Sequence, residues 1–195
     1  MGEMKSAWEK AMEKVEKLGR LSDEEIAQQK NIPLGNKLAA TYLSVENYDL
    51  DAELTKYKGT GFRKYVIQGA EEIFLRSITL PQSERDKQTT SRAMAGIGLI
   101  KENKNQLEAV IDRINNLLTY YEQALQQTYT QFKQSFEAKL KEAGKSLQQQ
   151  MKTQAPLESE LQLQFQEEWR RISNQLNAQY ENALEEHRQQ IATIA

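Results

Sequence analysis

The sequence predicts an all-α protein. Its centre is a long antiparallel two-helix coiled-coil hairpin, with a small bundle of short helices at the base. Three observations carry this. Apolar residues from Leu107 to Ile194 keep one helical period through almost half of the 195-residue chain. That period halts at Pro156 and then resumes in reverse order. No stretch shows the two-residue alternation of a half-buried strand.

The first arm is marked by Leu107, Ile111, Ile114 and Leu118, and then by Tyr121, Leu125, Tyr129, Phe132, Phe136, Leu140, Ala143, Leu147 and Met151. From Leu118 the steps are 3, 4, 4, repeated three times. This is an eleven-residue repeat of about 3.67 residues per turn, which gives a nearly straight or slightly right-handed pair. The return arm runs through Leu161, Phe165, Trp169, Ile172, Leu176, Tyr180, Ala183, His187, Ile191 and Ile194, in steps of 4, 4, 3. One pattern is the other read backwards, as two helices folded against each other require. With the turn near 152–157, the expected partners are Leu147 with Leu161, Ala143 with Phe165, Leu140 with Trp169 and Phe136 with Ile172. The same register sets Phe132 against Leu176, Tyr129 against Tyr180, Leu125 against Ala183 and Tyr121 against His187. The residue numbers of every pair sum to 308 or 309. Lys141 then faces Glu167 and Glu137 faces Arg171, opposite charges that help select register although each exposed pair contributes little.

The turn is read from Lys152, which suits the negative end of the first arm, and from Pro156, which cannot continue that helix. Glu158 and Glu160 fall in the first turn of the return helix, where the dipole favours anions.

Ahead of the hairpin, residues 1–82 read as a base domain of short amphipathic helices, and 83–195 as the hairpin, the two forming one structural unit. Residues 5–18 place Trp8, Ala11, Met12, Val15 and Leu18 on one face, with Gly19 as the cap. Ser22 to Glu25 form a capping box that starts the next helix, and Pro33 and Gly35 are expected to break it. Further helices are expected over about 36–44, 48–57 and 62–78, with Gly59 and Gly61 in an interhelix turn. Pro81 and Ser83 precede a helix over 84–100, which Gly96 and Gly98 are expected to kink unless it runs straight into the long arm. Short helices bury little surface alone, so the hairpin's open end is where Trp8 and its helix are expected to dock.

Net charge is −2, and both signs are balanced in each half of the chain. Lysines near the tip (Lys133, Lys139, Lys141, Lys145, Lys152) meet Glu158, Glu160, Glu167 and Glu168 on the return arm. Little phosphate-neutralising charge remains, which disfavours nucleic acid. There is no cysteine, hence no thiolate site or disulfide framework. The longest apolar run, AMAGIGLI at 93–100, is far below the ~20 residues of a membrane span. The opening MGEMKSAWEK lacks the apolar core of a signal peptide. Gly2 and Ser6 match a loose acylation pattern, but Glu3 and the charge behind it mark a chance match. A cytoplasmic protein is the expectation.

The segment Trp8–Leu18 (WEKAMEKVEKL), with EEIAQQK behind it, resembles an uncharacterised bacterial all-helical family classed as a domain of unknown function. So does the closing run of Trp169, Leu176, Tyr180 and Leu184. The resemblance touches both ends of the chain, and it implies no activity, cofactor or site residue.

No catalytic, cofactor-binding or metal-binding residue is assigned. His187 is the lone histidine, and its neighbours one turn away (Ala183, Leu184, Gln190, Ile191) include no ligand or carboxylate. It reads as a seam residue hydrogen-bonded opposite Tyr121. Adjacent carboxylates at Glu24/Glu25, Glu71/Glu72, Glu167/Glu168 and Glu185/Glu186 point about 100° apart on a helix, so none forms a shared-proton pair. The diiron motif Glu-x-x-His fails because Leu184 stands where the glutamate belongs. The aromatics of the arms fall on seam positions and read as packing. Sixteen glutamines between Gln123 and Gln190 give the arms a polar, uncharged exterior.

The expected function is therefore a non-enzymatic scaffold or adaptor, a protein-interaction chain with a rigid coiled-coil arm. Its expected partner is another protein, or a second copy meeting it through outer helix faces or the base. An alternative is an amphipathic protein coating lipid or polymer granules, and a second is an arm contacting RNA or the ribosome. Neither a small-molecule ligand nor a cofactor is indicated.

Overall fold

The computed structural model describes residues 22–147 and 155–195, with side chains over 22–142 and 160–195. The expected helix over 5–18, its Trp8 docking and the loop between the two arms lie outside the described residues. Six α-helices form the described chain: α1 Asp23–Ser44, α2 Leu50–Thr55, α3 Arg63–Ser77, α4 Glu84–Ile100, α5 Lys104–Leu147 and α6 Ala155–Thr193. None is long and apolar enough to cross a membrane. Two compact units result. The first holds the described residues up to Arg76 together with Ala95–Ile100, and the second holds Ser77–Met94 with Lys101–Ala195.

In the first unit, the capping box starts α1 as expected. The Ser22 N–H donates to Glu25 Oε2 (2.7 Å) and the Glu25 N–H to Ser22 Oγ (3.2 Å). Pro33 and Gly35 do not break the helix, which continues for 22 residues to Ser44. Proline's fixed φ suits a helix, and its cost of about 3 kcal/mol inside one is outweighed by packing. Gly35 is buried, and a Cβ there would collide with the Val66 carbonyl oxygen and lie 2.8 Å from the Ala70 nitrogen. Reciprocally, a Cβ on Gly69 would collide with the Ile32 carbonyl oxygen. The two glycines therefore let α1 and α3 cross backbone against backbone, with Ala39, Val66 and Ala70 fully buried. Gly35 is a crossing residue, not a breaker.

Tyr65 Oη and Lys64 Nζ both donate to Glu24 Oε1 (2.8 and 2.9 Å), tying α3 to the start of α1. Gly59, with φ of 82°, takes the left-handed turn between α2 and α3. Phe74 is fully buried, edge-on to Tyr42 at 5.7 Å between centroids. A Cβ on Gly96 would stand 2.5 Å from the Phe74 ring. Neither Gly96 nor Gly98 interrupts α4, which ends at Ile100. The helix does not run on into α5. Residues 101–103 intervene, and Asn103 Oδ1 caps the new helix by accepting the Gln106 N–H (3.2 Å).

The second unit is built on α5 and α6, which pack antiparallel. Tyr121 meets Tyr180 at 5.3 Å between centroids, Phe132 meets Trp169 at 5.8 Å and Phe165 at 4.8 Å, and Phe136 meets Phe165 at 5.1 Å. This corrects the register expected from the sequence. The expected partners of Tyr121, Phe132 and Phe136 were His187, Leu176 and Ile172, and each observed partner lies seven residues nearer the turn. Seven residues are close to two turns of a helix with ~3.67 residues per turn. The same seam faces stay inward, and periodicity alone cannot separate the two registers. Pro156 caused the error. It is the second residue of α6, an N-terminal position where its missing N–H costs nothing, so the return helix starts earlier than expected. The Lys141–Glu167 and Glu137–Arg171 pairs belong to the displaced register and do not form. Tyr121 Oη donates instead to Asn177 Oδ1 (2.9 Å).

The start of the 77–83 connection is pinned within this unit. Arg188 is 14% exposed in its side chain. It donates Nε and Nη2 to the Ile78 carbonyl (2.9 and 2.5 Å) and Nη1 to Glu181 and Glu185. The guanidinium thus satisfies a carbonyl that lies outside any helix. Thr90, buried in α4, accepts the Thr79 N–H (3.2 Å) through Oγ1. At the far end of α6, Lys101 is 6% exposed and donates to the Ile194 carbonyl (2.6 Å). The Ala195 oxygen accepts the Glu102 and Asn103 N–H groups (2.9 and 3.1 Å).

These contacts predict the effects of three substitutions. Gly35→Ala should destabilise the protein by about 1–3 kcal/mol, because its Cβ meets backbone that cannot yield without opening the helix crossing. Gly98→Ala, with nothing within 4 Å of the new Cβ, should stabilise it by roughly 0.5–1 kcal/mol through helix propensity. Urea unfolding reads both, and equal shifts of the same sign would refute the crossing. Arg188→Lys should lose about 1.5–3 kcal/mol although charge is kept, since a single ammonium cannot make the forked contact with Ile78. An unchanged midpoint for Arg188→Lys would show that the fork contributes nothing.

Candidate functional site

The residues that suggested chemistry are placed apart. His187 is half-buried on α6, and its Nδ1 is enclosed with no hydrogen-bond partner among the described residues. Tyr121, its expected partner, is turned to Asn177. Each adjacent carboxylate pair divides between structural tasks or faces solvent. Glu24 holds Lys64 and Tyr65, Glu25 closes the capping box, and Glu185 binds Arg188 and Gln189. Glu167 and Glu168 are exposed. Among the described residues no group of three histidines or carboxylates converges in metal-binding geometry.

What the second unit does build is a groove. On α5, Glu122, Gln126, Tyr129, Lys133, Glu137 and Leu140 recur in steps of 4, 3, 4, 4 and 3 and share one face. On α6, Gln162, Phe165 and Trp169 border the same furrow. Toward the ends of the arms, α4 lies against this face of α5. Lys87 Nζ pairs with Glu122 Oε1 at 2.8 Å, and Thr90, Ser91 and Met94 stand opposite Asn115, Leu118 and Thr119. The Glu122 carboxylate raises the Lys87 pKa above the ordinary value. Helix α4 starts at Glu84, where Ser83 Oγ donates to Asp86 Oδ2 (2.8 Å) and accepts the Asp86 N–H (3.3 Å).

Beyond that start no other described helix lies against this face. A cavity of about 510 Å³ opens between residues 81–84 and the ring walls of Tyr129 and Trp169. Farther along the arm, Phe136, Leu140, Leu161 and Phe165 floor a second hollow of about 260 Å³, with Lys133, Glu137 and Gln162 on its rim. Tyr129 is 41% exposed, and Phe136, Phe165 and Trp169 are half-buried. The five aromatics Tyr129, Phe132, Phe136, Phe165 and Trp169 form one contiguous cluster, with centroids 4.8–6.3 Å apart. The furrow offers apolar contact, ring faces and a polar rim. Sequence reasoning assigned these rings to a closed seam and missed the groove, together with Arg188 and the Lys87–Glu122 pair. The shared face of Gln126, Tyr129, Lys133 and Glu137 was the available signal.

The carboxylates give a pH prediction. Hydrogen bonds from Lys64 and then Tyr65 hold Glu24 below its ordinary pKa, and the Ser22 N–H and hydroxyl do the same for Glu25. The Ser83 hydroxyl lowers Asp86, and Arg188 with Gln189 lowers Glu185. A carboxyl whose folded pKa is depressed contributes stability above its unfolded pKa and loses it as pH falls through the folded value. Thermal stability should therefore hold from neutral pH down to about 5 and fall below about 4, where unfolded carboxylates protonate first. The variant Ser22→Ala/Glu25→Gln should start lower and lose less over the acid limb, as read by circular dichroism melts. An acid limb of unchanged depth in that variant would contradict the assignment.

No curated protein and no solved structure matches the chain. A family model described as a family of unknown function (DUF6657) matches residues 51–193, from α2 to the end of α6. The chain belongs to this family of unknown function.

Proposed function

We propose that the chain is a non-enzymatic scaffold or adaptor, whose two long helices form a coiled-coil arm presenting a groove to another protein. One observation carries this reading. The cover that α4 supplies along one face of α5 stops at Glu84, while the apolar floor continues through Tyr129, Phe136 and Leu140. From Glu122 to Leu140 the furrow is roughly 27 Å long at about 1.5 Å per residue, enough for several turns of a docked helix. Grooves between helices with apolar floors and polar rims commonly receive amphipathic helices. Water against half-buried rings is a free-energy cost that such docking relieves.

Site-specific photocrosslinking in cells tests the reading. A photoreactive residue at Lys133 or Gln162, on the rim, should give discrete protein adducts. At Gln131, about 200° round α5 from Lys133, it should give few. Equal labelling at all three positions, or no adduct from either rim position, would refute a protein-docking groove.

A further inference from the structure

The reading of the groove as a docking surface leaves its occupant open, and the rim charges narrow the choice. Lys133 and Glu137 stand one helical turn apart on α5 at the edge of the distal hollow. Their spacing would allow an i,i+4 pair, yet neither has an ion-pair partner among the described residues. By contrast, Glu122 on the same face is neutralised by Lys87 of α4. The facing rim on α6 offers Gln162, which adds no charge. Among the described residues, the distal rim thus holds one positive and one negative group in a row.

We propose that the occupant is a second copy of this chain, joined by a two-fold axis so that Lys133 of each copy faces Glu137 of the other. A two-fold contact presents the same patch from both sides and reverses the order of residues along it. A row that reads plus then minus is complementary to its own reversal. A uniformly acidic or basic partner helix would satisfy one of these groups and oppose the other. The floor suits this arrangement as well. Phe136, Leu140, Leu161 and Phe165 of the two copies would close on each other, turning two half-covered hairpins into a four-helix layer with a common core. The near-straight course expected of an eleven-residue repeat lets two such arms stay in contact over several turns. Burial of half-exposed rings supplies the drive, and the rim charges select partner and orientation.

The test is sedimentation equilibrium with light scattering on the full chain over a concentration series, comparing the native protein with Lys133→Glu, Glu137→Lys and the double exchange Lys133→Glu/Glu137→Lys. Each single change sets like charges against each other twice in the dimer and should weaken it at least about tenfold. The double exchange restores opposite charges and should recover native affinity to within about threefold. Circular dichroism checks that helix content is the same in all four proteins. A native protein that stays monomeric while its rim crosslinks to a different protein would overturn the second copy as occupant and leave the docking groove standing. A dimer indifferent to both single changes would overturn this face as its interface. Loss in the single variants without recovery in the double exchange would overturn the two-fold pairing.

Discussion

The contact of Phe132 with Phe165 and Trp169 sets the register on which the second unit depends. These side chains interlock at 4.8 and 5.8 Å, and an antiparallel pair has no other freedom once one such layer is fixed. Everything placed along α6 then follows. Arg188 arrives beside the Ile78 carbonyl, and the end of the helix arrives where Ala195 accepts the Glu102 and Asn103 N–H groups. Sliding α6 by the seven residues of the alternative register moves it roughly 10 Å at about 1.5 Å per residue. That shift would keep every seam residue inward and yet pull Arg188 and Ala195 away from their partners. Aromatic packing chooses among registers that the periodicity leaves equal, and the polar clasps hold the chosen one.

The same comparison shows what could be read from sequence and what could not. The capping box at Ser22, the turn at Gly59 and the long periodic helices were legible because each is local, a matter of spacing within one or two turns. Pro33, Gly35 and Pro156 were misread for a shared reason. The effect of proline and glycine depends on position and on what lies across the packing interface. Gly35 sits opposite Gly69 and Val66, a fact about residues more than thirty positions away. Pro156 lies at the start of a helix, where the local rule for proline changes sign. The groove stayed hidden because a seam pattern shows which side chains point toward a partner helix. It does not show how far the large rings hold the two helices apart or where a third helix stops covering them.

That third helix gives the arm its asymmetry. Within the second unit, α4 lies along α5 and neutralises Glu122 through Lys87, so the proximal stretch of this face has three layers and settled charges. From Gln126 outward the pattern of α5 continues unchanged, with Tyr129, Lys133 and Glu137 at the spacing set by Glu122. The distal face thus keeps the residue types that a packed face has, without cover from any other described helix.

A pair of helices cannot hide such a seam unaided. Two cylinders touch along a line, and side chains as large as Trp169 and Phe165 project past that line to both sides. Smaller layers would let the helices close and leave shallower furrows, at the cost of the aromatic interlock that fixes the register. The chain keeps the large rings and surrounds them with glutamine rather than with charge of one sign. That choice leaves the arm hydrated when alone, and it places no strong electrostatic barrier in front of the apolar floor. Lys133 and Glu137, the charges that line the distal hollow among the described residues, are the selectors of the proposed pairing. In the proposed two-fold pair, ring burial supplies the binding strength and Lys133 and Glu137 supply the discrimination, because their order along α5 is matched by the same order reversed.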